Sequence, residues 1–229
     1  MNAVKPEPRW LFLDSGRCAP ATNMAVDEAL LEQAPRFDAP VLRSYGWATP
    51  AATFGYSQRI ADVEKMTRLR PLLRRPTGGG LVLHDYDWTY SLMVPVEHEW
   101  YGLKAAASYR RLHEWLRESF ARLGVPTELA ASRVESGPGQ CFAGHESADL
   151  LWRGRKIAGA AQRRTRLGLL VQGSVRPPPL GLKRAAWVTA LRAAAGVVWL
   201  EVEPDGDLLG RAADLAIKKY LVTAYHRRR

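Results

Sequence analysis

Three consecutive glycines lie within Arg74-Arg75-Pro76-Thr77-Gly78-Gly79-Gly80-Leu81-Val82-Leu83-His84, and this stretch constrains the chain more than any other. Glycine lets the backbone take φ > 0 and approach another group with no Cβ in the way. Successive N–H groups in such a turn can converge on an oxyanion or a polarised carbonyl. Arg74 and Arg75 can add fork-shaped donors for a phosphate or carboxylate. The same residues also suit a tight hairpin turn with exposed arginines. No Gly-Lys-Ser/Thr follows, so this is not a Walker loop, and the glycines are contiguous rather than spaced as in the Rossmann fingerprint.

The glycine loop sits between two strand-like runs, Pro71–Arg75 and Leu81–His84. Ahead of it, Arg9–Asp14, Pro40–Trp47 and Thr53–Tyr56 read as strands, and Ile60–Leu69 as a short helix. Met24–Gln33 has helical spacing, with Thr22 or Asn23 as its cap. After the loop, Trp88–Val94 alternates as a strand does. Leu103–Leu123 is the clearest helix, with Tyr109, Leu112, Leu116, Phe120 and Leu123 on one apolar stripe, Gly124 ending it and Pro126 just beyond. Asp149–Trp152, Lys156–Arg163 and Leu169–Val175 form an antiparallel set joined by turns at Arg153-Gly154-Arg155 and Arg166-Leu167-Gly168. A helix at Lys183–Ala195, a strand at Val197–Val202 and a helix from Asp207 to Tyr225 complete the chain. Strands and helices mix without strict βαβ alternation, which predicts an α+β fold with one main sheet and a small C-terminal helical portion.

At 229 residues, with 47% hydrophobic and 24% charged side chains, the chain can bury a core of its own. No run approaches the roughly 18 apolar residues of a membrane span, and the first eight residues lack the apolar stretch of a signal peptide. A cytoplasmic location is the expectation. Two cysteines, Cys18 and Cys141, are too few for a disulfide framework, and none of their neighbours has zinc-ligand spacing, so no metal site is expected. The formal net charge of +10 favours an acidic partner. Nucleic acid is one such partner, but no recognised nucleic-acid motif and no arginine-lined helix face accompany the charge.

Three features then line up: the glycine loop, Lys156 in Lys156-Ile157-Ala158-Gly159-Ala160-Ala161-Gln162, and Cys141 in a Gly/Pro-rich loop. Together with His84, Asp87, Gln172-Gly173-Ser174 and the N-terminal Leu13-Asp14-Ser15-Gly16 and Asn23-Met24-Ala25-Val26-Asp27-Glu28-Ala29-Leu30, they resemble the lipoate–protein ligase and octanoyltransferase superfamily. The resemblance runs in the family's order from about Trp10 to Val175. It implies a biotin/lipoate–protein ligase-like catalytic domain with a mixed, largely antiparallel central sheet flanked by helices. Residues 1–229 would be one catalytic domain, with 1–179 the acyl-transferase core, 180–229 a C-terminal helical portion packed on it, and no separate accessory domain.

In that family a medium-chain acyl group lies beside the glycine loop and ends as an amide on one lysine of a lipoyl domain, such as that of the glycine cleavage H protein or a 2-oxoacid dehydrogenase E2. Ligases activate a free acid with ATP and Mg²⁺ through an acyl-adenylate. Octanoyltransferases take the acyl group from an acyl carrier protein through a cysteine thioester and require no such cofactor. Cys141-Phe142 is similar to the Cys-Phe of the transferases, and its position fifteen residues before Lys156 fits that branch. Ala143-Gly144-His145-Glu146 departs from the Asp-Ala-Pro-Ser expected there, a departure that concerns the donor rather than the nucleophile. The resemblance therefore implies Cys141, Lys156 and His84 as catalytic residues, with His145 a second candidate proton acceptor. It implies Arg74, Arg75, Thr77, Gly78, Gly79, Gly80, Gly159, Ala161 and Gln162 as substrate-binding residues. The partners implied are acyl carrier protein as donor and lipoyl-domain proteins as acceptor, with neither nucleic acid nor membrane.

Overall fold

The computed structural model describes residues 8–134, 144–179 and 181–228. In chain order these form β1 (Arg9–Cys18), α1 (Pro20–Glu32), β2 (Val41–Trp47), β3 (Ala51–Phe54), α2 (Ile60–Val63), β4 (Leu72–Arg74), β5 (Val82–His84), β6 (Trp88–Pro95), α3 (Glu99–Gly102) and α4 (Ala105–Ala121). Then follow β7 (Glu128–Leu129), β8 (Leu150–Trp152), β9 (Arg155–Thr165), β10 (Gly168–Val175), α5 (Arg184–Ala194), β11 (Val198–Glu201), α6 (Gly206–Leu215) and α7 (Thr223–Arg227).

Eight strands make one mixed sheet in the order β11-β1-β2-β6-β10-β9-β8-β7. Strand β1 runs parallel to both of its neighbours, and the other pairings are antiparallel. Alternation along a strand sends successive side chains to opposite faces. Leu13, Val41 and Met93 therefore pack with Met24 and Leu30 of α1 and Leu208 and Leu215 of α6. Phe12, Leu42, Leu92 and Val94 pack on the other side with Leu112, Leu116 and Phe120 of α4 and Trp187 and Leu191 of α5. Each such side chain contributes roughly 1.5–3 kcal/mol of hydrophobic stabilisation. A small sheet, β4-β3-β5, carries the glycine loop between β4 and β5.

The expected α+β architecture is what forms, with local departures. Helix α1 starts at Pro20 after an Ala19 cap, and neither Thr22 nor Asn23 caps it. Asn23 is fully buried instead; its amide donates to the Gly46 carbonyl at 2.8 Å and accepts from Arg43 at 2.9 Å, so a core partner outbids the cap. The helix expected over Ile60–Leu69 ends at Val63. The last expected helix divides into α6, a π-turn at Ala216–Tyr220 and α7. That wider turn lets Lys219 and Tyr220, adjacent in sequence, both reach Glu28, at 2.6 and 2.7 Å. On α4, Leu112, Leu116 and Phe120 keep the expected apolar stripe, but Tyr109 turns its hydroxyl toward a carboxylate.

Candidate active site

A cavity of about 480 Å³ opens where the small sheet meets β9 and β10. Its volume lies in the range of small-molecule sites. It is lined by the glycine loop (Gly79–Val82) with Thr53 and His84 of the small sheet, and by Lys156, Gly159–Ala161 and Gln172–Ser174 of the main sheet. Met24, Tyr45, Thr89 and Tyr109 also reach it, and Arg133–Val134 and Gly144–Glu146 complete the lining.

Lys156 lies next to the tight turn between β8 and β9, in register with Leu151. That hairpin returns the chain past Asp149, whose fully buried carboxylate meets Lys156 Nζ at 2.7 Å. Asp149 also accepts the Tyr109 hydroxyl and, at 2.7 Å, the Glu146 N–H. Tyr109 OH in turn accepts the Ala160 N–H at 3.3 Å. Burial, reinforced by Asp149, pushes the Tyr109 hydroxyl well above its ordinary range, so it stays a donor. The glycine of the Lys-x-x-Gly motif has a steric reason. A Cβ on Gly159 would lie 2.8 Å from Lys156 Cε and Nζ and 3.0 Å from Asp149 Oδ1.

On the small sheet, His84 Nδ1 is 2.7 Å from Asp87 Oδ2 and Nε2 is 2.8 Å from Thr53 Oγ1. Thr89 and Ser174 also donate to Asp87 Oδ2, at 2.9 and 2.8 Å. Burial works to raise the Asp87 carboxyl, but the His84 charge and these three hydrogen bonds outweigh it and hold it below its ordinary value. The Trp47 ring stacks on His84 at 3.9 Å.

Arg75 closes the end of the cavity beside the loop. It is buried, donates to Thr77 Oγ1 at 3.2 Å and to the Thr53 carbonyl at 3.3 Å, and also binds the Gly78 carbonyl. Among the described residues no carboxylate pairs with it. Burial pulls its guanidinium down to about 10, so it remains a cation at neutral pH. Gly79 takes φ +79°, and a Cβ there would lie 2.8 Å from Arg75 Nη2, so glycine both permits the turn and admits the guanidinium. Behind this wall Thr77 donates to Gln172 at 2.7 Å, and Gln172 donates to Asp27 at 2.7 Å. Asp27 is paired with Arg43 at 2.8 Å, both side chains fully buried.

Of the residues expected at the site, Lys156, His84, Arg75, Gly79, Gly80, Gly159 and Ala161 line the cavity. Arg74 does not. Its guanidinium is fully buried on the other side of the strand and donates to the carbonyls of Tyr56, Gln58, His226 and Arg228 at 2.6–2.8 Å. Neighbouring residues of a strand point to opposite faces, so Arg74 clamps the C-terminal helix while Arg75 faces the cavity. The same rule removes Gln162, whose amide bonds Ser108 and the Ala105 carbonyl of α4 at 3.0 and 2.8 Å. Thr77 and Gly78 stand behind the wall, the first on Gln172 and Arg75, the second turning its carbonyl to Arg75. Cys141 lies outside the described residues. Asp149, Tyr109 and Thr53 also surround the site although no motif singled them out, and Gln172, quoted within Gln172-Gly173-Ser174, joins them.

Residues 19–176 match the family model of the lipoyl protein ligase A/B catalytic domain. Octanoyltransferase LipM of Anoxybacillus flavithermus is 36% identical over 179 residues, covering 72% of this chain and 64% of that protein. Octanoyltransferase LipM of Bacillus subtilis gives the same identity and coverage. The chain thus spans a little under two thirds of the length of the curated relatives it matches. The structure resembles a lipoate-protein ligase A bound with ATP (TM-score 0.75, 20% identity, covering 96% of this chain and 98% of the other). It also resembles a bi-partite lipoate protein ligase from Thermoplasma acidophilum (TM-score 0.74, 19% identity, 97% and 98%). At these identities the likeness speaks for the fold. On the match that covers most of its sequence, the chain belongs to the lipoyl protein ligase A/B catalytic domain family.

Proposed function

We propose that the chain transfers an octanoyl or lipoyl group to a specific lysine of lipoyl domains through a thioester on Cys141, with acyl carrier protein as the donor. The observation that carries the reading is Lys156, which lines the same cavity as the glycine loop and is held there by the buried Asp149 at 2.7 Å. Both flanks of the stretch that holds Cys141, Arg133–Val134 and Gly144–Glu146, line that same cavity. The octanoyltransferase relatives support the transferase branch of the family.

The chemistry fits these groups. Exchange between thioesters is nearly isoenergetic, so the reaction needs no ATP, and the protein must supply a thiolate and stabilise an oxyanion. A free thiol ionises near ~8.5, and a neighbouring cation lowers that; Lys156 is the cation in this reading. Arg75 and the N–H groups of Gly79 and Gly80 receive the acyl carbonyl. His84 takes a proton from the incoming amine. Residues 1–229 act as one catalytic unit in the cytoplasm, consistent with α6 packing on α1.

The alternative within the family is ATP- and Mg²⁺-dependent ligation through an acyl-adenylate. Octanoylation of a lipoyl domain is measured with octanoyl carrier protein alone and, separately, with octanoate, ATP and Mg²⁺. The transferase reading expects product only in the first assay and its loss in Cys141→Ala. Product only in the second, unaffected by Cys141→Ala, would overturn it.

A further inference from the structure

Thr53 pairs with Val82 across β3 and β5, and His84 lies two residues further along β5, so the two side chains are diagonal neighbours on one face of the small sheet. The result is a continuous run: Thr53 Oγ1 to His84 Nε2 at 2.8 Å, and His84 Nδ1 to Asp87 Oδ2 at 2.7 Å. Thr53 is 2% and His84 5% exposed, yet both line the cavity, so the cavity is the side from which they can be reached. We propose that Thr53, His84 and Asp87 form a hydroxyl–imidazole–carboxylate relay that removes the proton from the acceptor amine, and that Thr53 Oγ1 is the atom the amine meets.

The inference deepens the acyl-transfer reading and rests on it, but only on the step in which an amine is acylated. A lysine side chain ionises near ~10.4 and reaches neutral pH as an ammonium with no lone pair. It must lose a proton before it attacks. The environment of His84 exceeds what a turn requires. Stacking on Trp47 fixes the ring plane, and the Trp47 Nε1–H holds Thr89 at 2.7 Å, which itself donates to Asp87. Asp87 collects three donors, so Nδ1 is the ring nitrogen that keeps its proton whenever the imidazole acts as a base, which leaves the Nε2 lone pair toward Thr53. Arg75 Nη1 stands 3.5 Å from Thr53 Oγ1, where its charge favours loss of the hydroxyl proton. His145 has no such support: its Nδ1 is buried with no hydrogen-bond partner among the described residues.

The step balances as follows. The ammonium proton moves to Thr53 Oγ1 while the Thr53 proton moves to His84 Nε2, leaving a free amine and an imidazolium beside the Asp87 carboxylate. The amine nitrogen bonds to the acyl carbon, and the C–S bond breaks with its electron pair on sulfur. Of the three ammonium protons one stays in the amide and two leave through the relay to solvent, with the sulfur departing as a thiolate.

The test compares two acceptors for the acyl group on the full chain: the lysine of a lipoyl domain, and hydroxylamine, which is already neutral at pH 7. Thr53→Val is expected to lower the ratio of lysine to hydroxylamine transfer on the order of 10²-fold, Thr53→Ser to restore it, and Asp87→Asn to lower it as well. The Asp87 variant keeps the test in force should Thr53→Val not fold. An unchanged ratio in the folded variants, or an ester-linked acyl adduct on Thr53, would overturn the relay. Wild-type protein that acylates neither acceptor would overturn the acyl-transfer reading and the relay with it.

Discussion

Asp149 Oδ2 holds Lys156 Nζ at 2.7 Å on the cavity wall, with the carboxylate itself fully buried. A lysine left alone on a hairpin would sample many rotamers; this one is fixed by an ion pair whose other acceptor sites are taken by Tyr109 and the Glu146 N–H. In the proposed transfer the pair matters through position, since a long flexible amine serves as a catalytic group only when its charge is aimed.

Asp149→Asn keeps the shape of the side chain and removes its charge. Acyl transfer is expected to fall on the order of 10²-fold, with the fold retained by circular dichroism. Activity within twofold of wild type would show that Lys156 does not depend on this partner.

Gly159→Ala places a methyl group 2.8 Å from Lys156 Cε and Nζ, too close for both to stay. The lysine tip can swing aside, so the protein is expected to fold with Tm within a few degrees of wild type and to lose at least tenfold in transfer rate. A large fall in Tm with normal specific activity would contradict this.

These two residues also show what the sequence made legible. Lys156 and Gly159 are read directly from their motif, whereas Asp149 is reached by folding the chain back at Arg153-Gly154 and counting across the hairpin. The turn alone gives Leu151 opposite Lys156, and the irregularity between Leu150 and Leu151 shifts the count before Asp149 is reached. Thr53 was equally hidden, because its contact with His84 depends on how β3 pairs with β5 across the glycine loop. Arg74 misled for the opposite reason. Two adjacent arginines on a strand must face opposite ways, so at most one belongs to a cavity, and the motif did not say which. The central strands were legible as apolar runs bounded by turn residues, although helices on both sides bury both of their faces; the C-terminal π-turn was not, since it answers to Glu28, far away in sequence.

Arg74→Ala leaves the four carbonyls it serves without their donor. The expected cost is at least about 1–3 kcal/mol, read as a lower urea midpoint and faster proteolysis near α7. The Michaelis constant for the acyl donor should change little in the protein that remains folded. An unchanged midpoint with a raised Michaelis constant would return Arg74 to the binding site.

Asp87 supplies a pH-dependent share of stability. Its carboxyl is held below the ordinary 3.8 in the folded protein, so its contribution is complete above that value and is lost as pH falls from there toward the folded-state value. Asp87→Asn removes that share, and the acid limb of its stability curve should be shallower than that of wild type below about pH 4. Parallel acid limbs would contradict the assignment.

The most direct measurement is the intact mass of the protein after incubation with octanoyl carrier protein in the absence of ATP. The account expects one octanoyl adduct, labile to hydroxylamine, mapped to Cys141 and discharged by an apo lipoyl domain. No adduct under those conditions, together with octanoyl-AMP formed from octanoate and ATP, would contradict it.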